Sequence, residues 1–158
     1  MSDTTIESRG TEVFISIDSI AVVKVNCPTQ VDGGGSSTDF TTIDCLDATA
    51  AYDKPTGKKL NSWTVPFIVQ KGDVTHDFLL SQMNSSASAN TKVLYAIALS
   101  DGTADPTITG ENFVAPAGRS IIFGNGYISN AGMSISNGDV VRGTFTLTPV
   151  SQTYAPAE

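Results

Sequence analysis

Residues 120–150 read S-I-I-F-G-N-G-Y-I-S-N-A-G-M-S-I-S-N-G-D-V-V-R-G-T-F-T-L-T-P-V. From Val141 the side chains alternate. Val141, Gly143, Phe145 and Leu147 share one face, and Arg142, Thr144, Thr146 and Thr148 share the other. A period of two marks a half-buried β-strand, one face in a core and one in water or against a polar partner. The threonine face holds no paired carboxylates, no histidine and no aromatic platform, so it suits a wall better than a reaction centre.

The segments before it extend the pattern. T-E-V-F-I-S-I (11–17), I-A-V-V-K-V (20–25), F-T-T-I-D-C-L (40–46) and W-T-V-P-F-I-V-Q (63–70) read as strands. K-V-L-Y-A-I-A-L (92–99) is the continuous apolar run of a buried strand. Trp63, Val65, Phe67 and Val69 fall on one face, and Pro66, which has no N–H, predicts an edge or bulge. Gly33-Gly34-Gly35-Ser36-Ser37 reads as a flexible hairpin connection. V-T-H-D-F-L-L-S-Q-M (74–83) changes period and predicts one short helix, about 75–84, capped by Thr75 or Asp77, with Phe78, Leu79 and Met83 inward. The fold class is therefore mainly β, a sandwich or barrel of two packed antiparallel sheets with that helix on its flank. Residues 1–10 read as an N-terminal arm, 11–150 as a single β-sandwich domain and 151–158 as a C-terminal arm. Within the domain, 47–61 form an unusually long loop and 103–118 show no clear element.

Fourteen glycines and only 16% charged residues favour strands and turns. Sixteen acids against nine bases give a net charge of −7, with Lys54, Lys58 and Lys59 the one basic cluster. Specific nucleic-acid binding needs cations that displace phosphate counterions, so that class is disfavoured. Neither a secretory start nor a membrane span is legible, which points to folding in a cytoplasm, with Cys27 and Cys45 as free thiols.

Chemistry finds no foothold. His76, the one histidine, stands without a nucleophile motif and reads as a surface or interface residue. Two cysteines and one histidine cannot supply four zinc ligands. Asp101, Thr103 and Asp105 start like a calcium loop, but Pro106 and Asn112 replace its glycine and glutamate. Gly57-Lys58 lacks the rest of a phosphate loop, and no G-x-S-x-G elbow occurs. The reading is a non-enzyme without metal or cofactor.

The order of segments is similar to a known family. A leading T-E-V-F-I precedes T-T-I-D-C-L-D, a long polar loop and S-W-T-V-P-F. Then come D-F-L-L-S-Q-M, Y-A-I-A-L-S-D-G and the ending G-D-V-V-R-G-T-F-T-L. Over roughly 11–150 the chain resembles the tail tube (major tail) proteins of long-tailed bacteriophages, related in fold to type VI secretion tube proteins. That resemblance implies six-subunit rings stacked into a hollow tube in the virion tail, assembled in the host cytoplasm. Tail terminator, tape measure and baseplate proteins would be its partners. Double-stranded DNA would pass without specific binding, and no membrane is involved. It also implies that the loop Asp47–Asn61, with Tyr52, Asp53, Lys54, Lys58 and Lys59, reaches the neighbouring ring, and that the terminal arms dock on adjacent subunits.

Alternation then nominates the residues facing such a lumen: Thr42, Asp44, Thr64, Thr144 and Thr146, with Arg142 on the same face and expected to pair with a neighbouring subunit's carboxylate. A duplex carries a negative charge about every 1.7 Å, so a basic bore would hold it, whereas an acidic or hydroxyl-lined one would not. The rival reading is an immunoglobulin-like binding or decoration module of a virion, working through its 47–61 and 103–118 loops. It needs exposed aromatic anchors on those loops, and Tyr52 is the one candidate.

Overall fold

The computed structural model describes residues 6–16, 22–44, 50–84 and 92–158. Twelve strands and one α-helix follow in order: β1 (Glu12–Ser16), β2 (Val23–Val25), β3 (Asp32–Gly33), β4 (Ser36–Ile43), β5 (Tyr52–Leu60), β6 (Trp63–Ile68), α1 (Val74–Ser81), β7 (Lys92–Ala98), β8 (Thr107–Thr109), β9 (Asn112–Val114), β10 (Ile121–Ser134), β11 (Arg142–Pro149) and β12 (Thr153–Ala155). A 3₁₀ turn, Gln82–Asn84, extends α1. The fold is mainly β with one helix, as the composition required.

Its two layers are arms of one antiparallel sheet ordered β2-β1-β7-β10-β11-β6-β3, with β12 beside β10. The fourteen-residue β10 makes the turn between layers, pairing β7 through its first half and β11 through its second. The outermost strands β2 and β3 are close in sequence, and the chain between them crosses to β6. There Thr29 N–H donates to Pro66 O (2.9 Å) and Ile68 N–H to Cys27 O (3.1 Å). The sheet thus curls into a barrel. Ile68 directs its N–H to that crossing chain, so Pro66, two residues earlier, points its missing donor the same way. The irregular edge expected of this proline is where its absence costs least.

Alternation fills the barrel. Val13, Ile15, Val65, Phe67, Tyr95, Ile97, Ile128, Phe145 and Leu147 point inward and are buried, with Leu79 of α1 plugging one end. The apolar run of β7 is buried on both faces. Its outward residues Leu94, Ala96 and Ala98 lie with Phe14 and Ile121 under the β8–β9 hairpin, whose Phe113 is buried against them. That hairpin is what 103–118 build. Gly143 keeps the alternation for lack of space: a Cβ there would stand 2.5 Å from the Phe67 ring.

Several local expectations change. The helix begins at Val74 and its cap is Asp73, whose carboxylate accepts from Thr75 N (2.9 Å) and His76 N (3.0 Å). Leu79 is buried and Phe78 partly so, but Met83 is exposed. His76 is not at the surface. It is fully buried and stacked on Phe67, with ring centroids 4.6 Å apart. Gln70 N–H donates to its Nδ1 (3.0 Å), which leaves Nε2–H to donate to Asn26 O (2.7 Å). Both nitrogens of the neutral ring are satisfied, so the histidine serves packing. Cys27 is an exposed free thiol, and Cys45 lies outside the described residues. The supposed C-terminal arm instead adds β12 to its own sheet. Gln152 there accepts from Trp63 Nε1 (3.1 Å) and donates to Gly34 O (2.6 Å), and Ala157 N–H donates to Ser120 Oγ (2.9 Å). Residues 1–5 lie outside the described part, while Gly10 is held against the domain by Arg119.

Arg119 is the feature with no sequence signal. It is 1% exposed, yet its Nε donates to Leu99 O (2.7 Å) and Nη1 to Ala104 O (3.0 Å). Nη1 also stands 2.9 Å from Glu12 Oε2, while Lys24 contacts the other carboxylate oxygen, Oε1, from outside. The neighbouring Asp101, which opens the rejected calcium-loop pattern, accepts from the hydroxyl and the N–H (2.9 Å) of Ser120. The Ser120 hydroxyl holds the Asp101 carboxyl below its ordinary range, and burial opposes this only in part. A depressed folded value means the stabilisation is present at neutral pH and is lost as pH falls through that value. Asp101→Asn is therefore expected to lower stability at pH 7 and to flatten its decline below about pH 4, read from urea midpoints across the acid limb.

Gly34, where the chain leaves the barrel for β4, has φ +73°, and a Cβ would fall 1.8 Å from the Trp63 ring. Gly34→Ala is expected to cost at least about 2 kcal/mol in urea unfolding, from backbone strain and the displaced indole together.

Candidate assembly surfaces

The β8–β9 hairpin packs over the outer face where Phe14, Leu94, Ala96, Ala98 and Ile121 lie, whereas the outer face of β6 and β11 stays largely exposed among the described residues. Register sets what it displays. Thr146 pairs with Thr64 on one side and Asn130 on the other, and Thr64 pairs in turn with Asp32. Thr144 lies between Pro66 and Gly132, and Arg142 between Ile68 and Ser134. Thr64, Thr144 and Arg142 are exposed and Thr146 is half-buried among its neighbours. Four of the six nominated residues therefore share one hydroxyl-rich face. Asp32, which sequence reading passed over, joins them because the crossing chain pairs with β6. Within its own chain, Arg142 Nε lies 3.5 Å from Asp139 of the same hairpin. The Val140 N–H and that guanidinium hold the Asp139 carboxyl below its ordinary range.

Thr42 is apart from the other four, and so is Asp44 just beyond the strand that carries it. The segment expected to loop between 47 and 61 is, from Tyr52 onward, a strand. With β4 it forms a separate two-stranded ribbon, paired from Ser36–Leu60 to Ile43–Tyr52 with a bulge after Asp39. Thr42 Oγ1 donates to Asp53 Oδ1 (2.7 Å) across it. Tyr52, Asp53, Lys54, Lys58 and Lys59 are all exposed on β5, and Asp47 lies outside the described residues. Phe40, at 62% exposure, stands opposite Pro55. Among the described residues no other element packs extensively on the ribbon. Its two ends meet where Asn61 N–H donates to Gly35 O (2.8 Å), so it springs from the barrel on a narrow stem.

No three His, Cys, Asp or Glu side chains gather into a metal-binding group among the described residues, and no helix there is long and apolar enough to cross a membrane. The described residues thus present a polar sheet face and a two-stranded ribbon that stands out from the barrel. The family model described as phage tail tube, TTP, lambda-like matches residues 4–155. The chain belongs to that family. Membership makes it a structural component of the phage tail. No relative emerges from a comparison with curated proteins. Solved structures agree on the fold. The SPP1 tail tube superposes with a TM-score of 0.66 at 14% identity, over 96% of this chain and 80% of that one. A chain of the 6-fold symmetrised anti-feeding prophage baseplate gives 0.69 at 10%, over 100% and 99%. A chain of the extended sheath–tube complex of the PVC extracellular contractile injection system gives 0.66 at 11%, over 99% and 95%.

Proposed function

We propose that six copies of this chain close a ring, that rings stack into the tail tube, and that DNA crosses the tube without being gripped. The face bearing Thr64, Thr144, Thr146, Arg142 and Asp32 lines the lumen, and the uncovered state of that face within a family of tube proteins is the observation that carries the reading. Its hydroxyls offer hydrogen bonds but no net positive charge, since Arg142 is paired with Asp139. At physiological salt the protein's field reaches only about 8 Å, so a wall of this kind centres a duplex without binding it. The ribbon spans to the adjacent ring and takes Thr42 and Asp44 with it. The ends of the stack meet the terminator, tape measure and baseplate proteins, and assembly precedes release from the host cytoplasm.

A basic lumen tests this. Tubes of Thr144→Lys with Thr146→Lys are expected to retain short duplex DNA at about 50 mM salt, shielded from nuclease, and to release it by about 200 mM. Retained DNA that nuclease digests freely would put the face on the outside.

A further inference from the structure

We infer that the open mouth of the barrel receives Phe40 from the ribbon of a second copy of this chain; the inference rests on the tube reading and gives the ribbon its partner. Helix α1 plugs the barrel where β6 ends. At the other end, where β6 begins, a cavity of about 650 Å³ remains, floored by Val31, Trp63, Ile97, Leu99 and Ile122, with Arg9 among the residues around it. The described residues leave this hollow unfilled, with Ile6 and the 8–11 segment along its edge, and mouths of β-barrels are recurrent docking places.

The ribbon carries the matching piece. Phe40 is the most exposed aromatic side chain among the described residues, and aromatic anchors seated in pockets dominate interface energies. Cross-strand pairing puts Pro55, Thr42 and Asp53 on the same face as Phe40. A ribbon laid with Phe40 in the mouth brings the Asp53 carboxylate towards the rim. Arg9 makes no ion pair among the described residues and supplies the complementary charge there.

A copy's own ribbon does not reach its own mouth. Val31 and Trp63, which line the cavity, flank the stem from which the ribbon departs. Phe40 lies four residues along β4 from Ser36, about 13 Å of extended chain, and the paired ribbon does not fold back on itself. The contact is therefore head-to-tail: each copy gives one ribbon and receives one, the arrangement that propagates from ring to ring.

The test replaces Phe40 by the photo-reactive p-benzoylphenylalanine, mixes the protein with heavy-nitrogen-labelled wild type, and images the sample before irradiation. Cross-links from position 40 to peptides carrying residues 28–31 or 97–99 of the other copy are expected. Alongside, Phe40→Ser is expected to raise the concentration needed for assembly by about tenfold or more, with an unchanged circular dichroism spectrum because the residue is exposed. Tubes whose cross-links map elsewhere, or Phe40→Ser chains that polymerise at the wild-type concentration, would overturn the docking and leave the tube reading in place. Grids of monomers with no cross-link between copies would overturn both.

Discussion

A chain in which residues 37–59 are replaced by a two-residue Asn-Gly turn is expected to fold normally and to form no tubes. The folded domain should not notice the loss. No other described element packs extensively on the ribbon, its strands are exposed along almost their whole length, and its ends are already joined by the Asn61–Gly35 hydrogen bond. Ser36 and Leu60 are paired, so a type I′ Asn-Gly turn closes the stem in the geometry that short hairpins favour. Loop-closure entropy changes little with such a trim, so the urea midpoint should stay near the wild-type value. Assembly should fail because the element that, among the described residues, stands out from the barrel is gone. Sedimentation velocity and negative-stain micrographs read both outcomes from one preparation. Tubes of normal length would show that stacking does not need the ribbon. Loss of the folded baseline would show that the ribbon supports the barrel after all.

Arg119→Met is expected to be the most damaging single substitution in the domain. The guanidinium ties four backbone carbonyls, those of Gly10, Ala98, Leu99 and Ala104, to the Glu12 carboxylate. Removing one partner of a buried ion pair costs about 3–5 kcal/mol. Glu12 is partly exposed and keeps Lys24, so the lower end of that range applies. Against a total stability of about 5–15 kcal/mol, this is a large share. Arg119→Lys should recover little, because an ammonium offers three donors from one point where the guanidinium offers five in a planar fork. Denaturant midpoints order the three proteins. A wild-type midpoint for Arg119→Met would mean that the carbonyls and Glu12 find water as readily as they found the arginine.

What could be read from residues alone followed the hydrophobic pattern. Phe145 and Leu147 alternate with threonines because one face of β11 meets the core, and the β7 run is apolar throughout because both its faces are covered. Part of β4 was legible within 40–46, but its partner β5 escaped for the converse reason. Both its faces meet solvent, so no period marks it, and Pro55 and Gly57 in β5 argue against a strand unless its outer edge is free. The four threonine and arginine candidates on β6 and β11 came together because alternation fixes a face within neighbouring strands. Thr42 lies on the separate ribbon and Asp44 just beyond it; alternation says nothing about which sheet a strand joins. Asp32 entered the face through a crossing between β2 and β3 that two residues of strand do not advertise. Arg119 and His76 are single polar residues whose burial depends on carbonyls and rings distant in sequence. No local spacing encodes that.

The most direct test of the central claim is a cryo-electron microscopy map of tubes assembled from the purified protein, at a resolution that places side chains. Thr64, Thr144 and Thr146 should line the bore, with the β4–β5 ribbon running into the next ring. A map with that face on the outer surface, or with Lys54, Lys58 and Lys59 lining the bore, would contradict it.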